Sequence, residues 1–306
     1  MLYFFSLNMK KILIIKNGYS DNPNNTYKAN RFVEEFSLKG IKADIVSALD
    51  LLPICNGNEI LINKLSEYSL GIDLDKDSYL ADCLESLNFP LCNSAASLHL
   101  SDDKMSSIIA LKGLGIESPL TIPAPLCYIN NVDKDRLNHF LDTIEKELGY
   151  PLVFKANHGS MGKQVILVND RNELESIELQ NKSIPHLYEK FLSKHKGHDY
   201  RIMVVGNEVV ACMERINKND FRSNIALGGK GYDVTNTLDN TFKEVALKAC
   251  KALKLDYAGI DVAISNDDKP IFIEANGNAF FTEIEKVTNV NITKKLVNYL
   301  IDKYHL

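Results

Sequence analysis

Tyr257-Ala258-Gly259-Ile260-Asp261-Val262-Ala263-Ile264 is followed, after a short polar break, by Ile271-Phe272-Ile273-Glu274-Ala275-Asn276. Both runs are short, apolar and rich in β-branched residues. With Asn266-Asp267-Asp268 between them, they predict a hairpin of buried strands. A carboxylate in such a strand is costly to bury unless it is paired or bound to a cation. Glu274 and Asn276 lie two apart and so share a face. In-register pairing of the hairpin would bring Asp261 to the same place, giving hard oxygen ligands suited to Mg²⁺. An edge strand with its polar face in water would carry the same pattern. Asp256 and Asp267 read as turn residues.

Upstream, Asp199-Tyr200-Arg201-Ile202-Met203-Val204-Val205 and Glu208-Val209-Val210-Ala211-Cys212-Met213 predict two further strands, joined by a tight turn at Gly206-Asn207. Asp199 and Arg201 fall on one face, and Arg215 closes the second strand. Arg222 and Asn224 then lead into Leu227-Gly228-Gly229-Lys230-Gly231. Lysine greatly outnumbers arginine in this chain, whose arginines are Arg31, Arg136, Arg171, Arg201, Arg215 and Arg222. The group from Arg201 to Arg222 therefore suggests a need for rigid forks that bind carboxylate or phosphate and stabilise charge during transfer. Surface ion pairs worth at most ~1 kcal/mol each are the plainer alternative.

Further back, Leu152-Val153-Phe154-Lys155 enters Asn157-His158-Gly159-Ser160-Met161-Gly162-Lys163 and leaves as Val165-Ile166-Leu167-Val168. A hairpin of small residues lets backbone N–H groups lie against phosphate oxygens, and Lys155 adds a point charge. An ordinary turn with a solvated lysine fits equally. The order strand, loop, strand is not that of a P-loop. Neither G-x-x-x-x-G-K-[ST] nor a G-x-G-x-x-G after the first strand is present.

The rest of the chain frames these segments. Lys11–Lys16 predicts a buried parallel strand, 27–39 a helix stopped by Gly40, and 43–46 the next strand, together a βαβ unit. Helices at about 77–88 and 102–113, with strands near 90 and 120, would complete a small α/β domain. Later helices are expected at 133–148, 239–254 and 291–304. The chain has 306 residues, 45% hydrophobic and 25% charged, with a net charge of −5. That is long enough for two or three domains and offers no basic field for nucleic acid or anionic membrane. No run of about 18 apolar residues predicts a membrane span. Residues 1–8 read as an extension outside the fold. The six cysteines (Cys55, Cys83, Cys92, Cys127, Cys212, Cys250) are scattered, which fits a reduced, cytoplasmic setting better than a disulfide frame.

Taken together, these segments resemble the ATP-grasp enzymes, specifically the RimK-type (alpha-L-glutamate ligase-like) amino-acid ligases, over about residues 90–290. The stretch from Lys196-Gly197-His198-Asp199-Tyr200-Arg201 to Phe221-Arg222-Ser223-Asn224 and Gly228-Gly229 carries the resemblance most specifically. Ala258-Gly259-Ile260-Asp261-Val262 with Glu274-Ala275-Asn276 comes next. The resemblance implies an α/β and α+β architecture: an N-terminal domain (9–94), a central subdomain with the glycine loop (95–187) and a C-terminal subdomain with the metal site (188–306). ATP would lie between the last two.

By the same resemblance, Lys104 and Lys155 would contact the ATP phosphates, and the loop with His158, Gly159, Ser160, Met161 and Gly162 would close over them. The backbone of Glu189, Lys190, Phe191 and Leu192 would meet the adenine, and Asp199 the ribose. Arg201, Arg215, Arg222 and Asn224 would serve the reacting phosphate. Asp261, Glu274 and Asn276 would hold two Mg²⁺ ions, or Mn²⁺ in their place. The implied chemistry is ADP-forming amide synthesis: a carboxylate takes the γ-phosphoryl group, and an amine displaces phosphate. The substrates would be a small-molecule carboxylate and an amino acid, or a peptide or protein acceptor, with no nucleic acid and no membrane, in a homo-dimer or tetramer. A phosphotransferase acting on a hydroxyl, a D-alanine–D-alanine-type ligase and a non-catalytic ATP-binding module are the alternatives. Glutamate ligases of this family usually carry a Ser-Ser-Pro-Gly-like turn after the Glu-x-Asn. Here Gly277-Asn278-Ala279-Phe280-Phe281-Thr282 replaces it, beside the amino-acid pocket.

Overall fold

The computed structural model describes residues 11–75, 77–159, 162 and 164–306. The extension expected over 1–8 and the loop residues Ser160, Met161 and Lys163 lie outside the described residues.

The chain opens with β1 (Lys11–Lys16), α1 (Pro23–Ser37), β2 (Ala43–Ser47), a small hairpin of β3 (Ile54–Cys55) and β4 (Ile60–Leu61), β5 (Tyr68–Asp73), α2 (Ser78–Ser86) and β6 (Leu91–Cys92). The parallel sheet runs β2-β1-β5-β6. Strand β5 went unread because Ser69 and Gly71 interrupt its apolar run. Gly71 is needed there, since a Cβ would sit 2.6 Å from a Leu91 methyl.

Helix α4 (Lys104–Ala110) falls within the helix expected over 102–113, and a further helix, α3 (Ala95–Asp102), directly precedes it. The break is Asp103, whose extended backbone and side chain cap α4 by accepting from the Ser106 N–H at 2.6 Å. Both helices pack against the C-terminal sheet.

A second sheet, antiparallel and ordered β7-β10-β8-β9, uses β7 (Thr121–Pro123), β8 (Leu152–Ala156), β9 (Val165–Val168) and β10 (His186–Lys190). Helices α5 (Lys134–Leu148) and α6 (Arg171–Asn181) cover it over a core of Leu141, Ile144, Phe154, Leu174 and Tyr188.

The third sheet is antiparallel, ordered β13-β12-β11-β14-β15: β11 (His198–Val205), β12 (Glu208–Ile216), β13 (Lys230–Asp233), β14 (Tyr257–Ile264) and β15 (Pro270–Asn276). Helix α7 (Asn240–Ala252) buries one face on Ile202, Val204, Ile260 and Val262. On the other face, α8 (Thr282–Thr288), α9 (Ile292–Tyr304) and α1 share a core with Met203, Val205, Ala211 and Tyr257. This second face changes character along its length. Past Met203 on β11 it turns from apolar to charged, and there the site begins.

Candidate active site

Strand register alone gathers the charged residues. Asp261 lies opposite Arg201 on β11 and opposite Glu274 on β15, while Asp199 lies opposite Arg215 on β12. Residues directly opposite in antiparallel strands share a face, so Asp199, Arg201, Arg215, Asp261, Glu274 and Asn276 all project to one side. A bulge between Asp261 and Val262 makes the pairing step by one residue after Glu274. The extra residue, Ile273, lets Glu274 face Asp261 while Phe272 joins Val262 in the α7 core.

Asp261 is buried and held by two arginines. Arg201 donates to it through Nε at 2.5 Å and Nη2 at 2.9 Å, and Arg215 Nη2 lies 3.0 Å away. Arg215 also forks onto both oxygens of Asp199, at 2.7 and 2.6 Å. Burial pushes the Asp261 carboxyl up, but the two guanidinium groups reverse this and leave it at about 2. Burial opposes the Arg215 charge too, and Asp199 and Asp261 overcome it, raising its pKa. The four side chains balance two charges of each sign, which is what makes their burial tolerable. Gly259 gives Arg201 its room, for a Cβ there would stand 2.8 Å from Arg201 Cδ.

Glu274 and Asn276 are half-buried beside this network, with Asn276 Nδ2 donating to Glu274 Oε1 at 3.1 Å. Two carboxylates and a carboxamide on one face form an all-oxygen donor set that fits a hard divalent cation. Lys104, at the start of α4, brings Nζ to 4.0 Å from Glu274 and to 3.3 Å from the Asn157 carbonyl.

The β8–β10 sheet forms the opposite wall of a cleft with about 970 Å³ of empty space, its open mouth included. Lys155 is buried there and pairs with Glu189 at 2.6 Å. Phe191 and Leu192 line the cleft beside the exposed Lys190, and Phe191 meets the Phe221 ring edge-on at 6.0 Å. Asp199, Arg222, Asn224, Gly159 and Gly162 also line it. Arg222 is fixed by Asp220, at 3.0 and 2.7 Å, and donates to the Gly162 carbonyl at 2.8 Å. At Gly162, φ is +70° and a Cβ would meet the Asn224 carboxamide oxygen at 2.9 Å. Gly162 is thus tied to the segment that follows β12 through an arginine clasp. His158 sits outside this cleft, 3.3 Å from Asp102, and lines a neighbouring cavity with Asn276.

Of the site residues read from the sequence, the described ones therefore converge on this cleft and the strand face beside it, His158 standing apart at its rim. Reading missed two side-chain roles: Glu189 as the partner of Lys155 and Asp220 as the anchor of Arg222. Glu189 carried a usable signal, a carboxylate on the same strand face as Leu187, of the kind that marked Asp261.

The model of the RimK-like ATP-grasp domain matches residues 101–300. The chain belongs to that family. Among the family's named members similar to it, N-acetylaspartylglutamate synthase A of Homo sapiens is 30% identical over 231 residues, 75% of this chain and 56% of that protein. The chain thus spans little more than half that relative's length. A probable alpha-L-glutamate ligase of Rhodopirellula baltica is 29% identical over 290 residues, 90% of this chain and 68% of that one. In fold, the chain superposes on D-alanine–D-alanine ligase from Bacillus anthracis, complexed with ATP, with a TM-score of 0.71, 20% identity and 97% of each chain covered. The ATP-grasp ligase PsnB, complexed with minimal precursor, Mg and ADP, gives 0.66 at 16% identity, covering 96% of this chain and 97% of that one. This RimK-like chain has no helix, among its described residues, long and apolar enough to cross a membrane.

Proposed function

We propose that this RimK-like protein is an ATP- and Mg²⁺-dependent, ADP-forming ligase that joins an amine, carried by an amino acid, to the carboxylate of a small molecule or peptide. One observation carries the reading: strand register sets Asp261, Glu274 and Asn276 on the same face as Arg201 and Arg215, across a cleft from Lys155. A module that only binds nucleotide has little use for that arrangement.

Lys104 and Lys155 would hold the phosphates, with the loop at His158, Gly159 and Gly162 closing over them and Arg222 locking it. Glu189, Lys190, Phe191 and Leu192 would bound the base, and Asp199 the ribose. Asp261, Glu274 and Asn276 would hold Mg²⁺, which when bound neutralises phosphate charge. Arg215 and Asn224 line both the cleft and the cavity beside it, and Arg201 lines that cavity, where a carboxylate would reach the terminal phosphate. The carboxylate oxygen attacks the γ-phosphorus, the bond to ADP breaks, and the resulting acyl phosphate is trapped by the amine with loss of phosphate and a proton. Such transfer depends on positioning and charge stabilisation more than on a protein nucleophile.

The test is Mg²⁺/ATP turnover with pooled amino acids, small peptides and cell extract, scoring ADP, AMP, phosphate and new masses. ADP and phosphate that require both a carboxylate and an amine, with an amide product, support the proposal. ADP with a phosphorylated product and no amine requirement overturns it.

A further inference from the structure

Lys28 lies on α1, far in sequence from every site residue, yet it is fully buried. A methionine would suit the surrounding apolar core at much lower desolvation cost. The ammonium has an acceptor for each of its three hydrogens: Tyr257 Oη at 2.9 Å, Asn278 Oδ1 at 2.6 Å and the Ala279 carbonyl at 3.0 Å. It also stands 4.8 Å from the Tyr257 and Phe281 ring centres. Two of the three acceptors belong to the segment that directly follows the Glu274–Asn276 strand end.

That segment is gripped from a second side. Asn93 donates to the Gly277 carbonyl at 2.5 Å and to the Tyr257 carbonyl at 2.9 Å. Asn276 and Asn278 together line both cavities flanking β15, so residues 276–279 form the partition between them. The larger cavity also holds Arg201, Arg215 and Asn224. A shift of the partition would move Asn276 and reshape the space that a substrate must occupy.

We infer that Lys28 is a positioning residue: from the N-terminal domain it fixes the 277–281 loop, and through it Asn276 and Asn278, at the acceptor side of the ligase site. The assignment of that side rests on the ligase reading, but the mechanical link does not. The lysine works through its charge and three donors. Loss of one proton leaves two donors for three acceptors, so the grip weakens as the amine is neutralised. Burial lowers its pKa to about 7, against the opposing pull of Cys92 and Asp73. The groups facing it are Asp73, raised by burial to about 8, and Cys92 and Tyr257, both raised well above their usual values by burial.

The experiment is hydrogen–deuterium exchange with nucleotide-binding and turnover measurements on wild type, Lys28→Met and Asn278→Ala. Lys28→Met keeps the packing volume and removes the donors; exchange over 277–281 is expected to rise about tenfold or more, with β1 and the rest of α1 changing far less. Asn278→Ala removes one acceptor without touching the core and should loosen the same segment, which keeps the test open if Lys28→Met fails to fold. In wild type, loop exchange corrected for chemical rate should rise as the pH passes through about 7; in Asp73→Asn, which loses a group that raises the Lys28 pKa, the rise should come at lower pH. In Lys28→Met it should stay flat. Acceptor-dependent turnover should fall about tenfold, with a smaller loss of MgATP affinity that follows the displacement of Asn276. A loop equally protected in wild type and both variants overturns the inference, as does exchange rising uniformly through the N-terminal domain. Wild type that binds MgATP but never turns over removes the ligase reading and leaves the exchange result to decide the role of Lys28.

Discussion

Asp261 shows how one buried carboxylate can be structural and chemical at once. Both of its oxygens are engaged by arginines, and it faces Glu274 across the bulge. With the Mg²⁺-holding role proposed for Asp261, Asp261→Ala should lower turnover on the order of 10²–10³-fold. It should also destabilise the fold by roughly 3–5 kcal/mol, because Arg201 and Arg215 are left without their shared counter-ion. Turnover and urea midpoints measured on the same preparation separate the two effects. The pH dependence has a definite sign. The folded pKa of about 2 lies below the ordinary 3.8, so the ionic stabilisation is complete above 3.8 and is lost as the pH falls through about 2. In Asp261→Asn this part of the acid unfolding limb should disappear; a limb unchanged from wild type would contradict the assignment.

At the scale of elements, the β11–β14–β15 register and the β8–β9 hairpin do most of the positioning. Gly259→Ala places a methyl 2.8 Å from Arg201 Cδ and 2.9 Å from Ala279 Cβ. It should therefore displace Arg201 or the 277–281 loop, cutting turnover while α7 and the apolar half of the sheet keep the far-ultraviolet circular dichroism unchanged. Arg222→Met removes the clasp on the Gly162 carbonyl. It should raise the KM for ATP by about ten- to a hundredfold, the equivalent of the ~1.5–3 kcal/mol carried by a charged hydrogen bond, with little change in melting temperature. The hairpin was legible in the sequence because alternation in a β-branched run forces a carboxylate to one face, and Asp261, Glu274 and Asn276 obey that rule. Strand β5 and helix α8 were not: Ser69 and Gly71 break the apolar pattern of one, and the other is a short turn fixed by tertiary contact. Lys28 was illegible for a different reason. A lysine in an amphipathic helix reads as solvated, and only the packing of α1 on α8, α9 and Tyr257 buries it.

Across the whole molecule, three sheets meet around the end of β15. The N-terminal βαβ region supplies Asp75, just after β5, which lines the larger cavity, and Lys28, on α1, behind the loop. The β8–β10 sheet supplies Lys155 with Glu189, and the third sheet supplies the arginine–carboxylate face. Arg222 is the visible link between the last two. MgATP binding should then protect the chain around 157–165 from limited proteolysis, and Arg222→Met should reduce that protection. In the proposed reaction this assembly transfers the γ-phosphoryl group of ATP to a carboxylate and passes the acyl group to an amine. Isotope tracking tests it most directly: with ¹⁸O-labelled carboxylate, the account predicts one ¹⁸O in the released phosphate for each amide formed. Unlabelled phosphate, or label found in AMP, would contradict it.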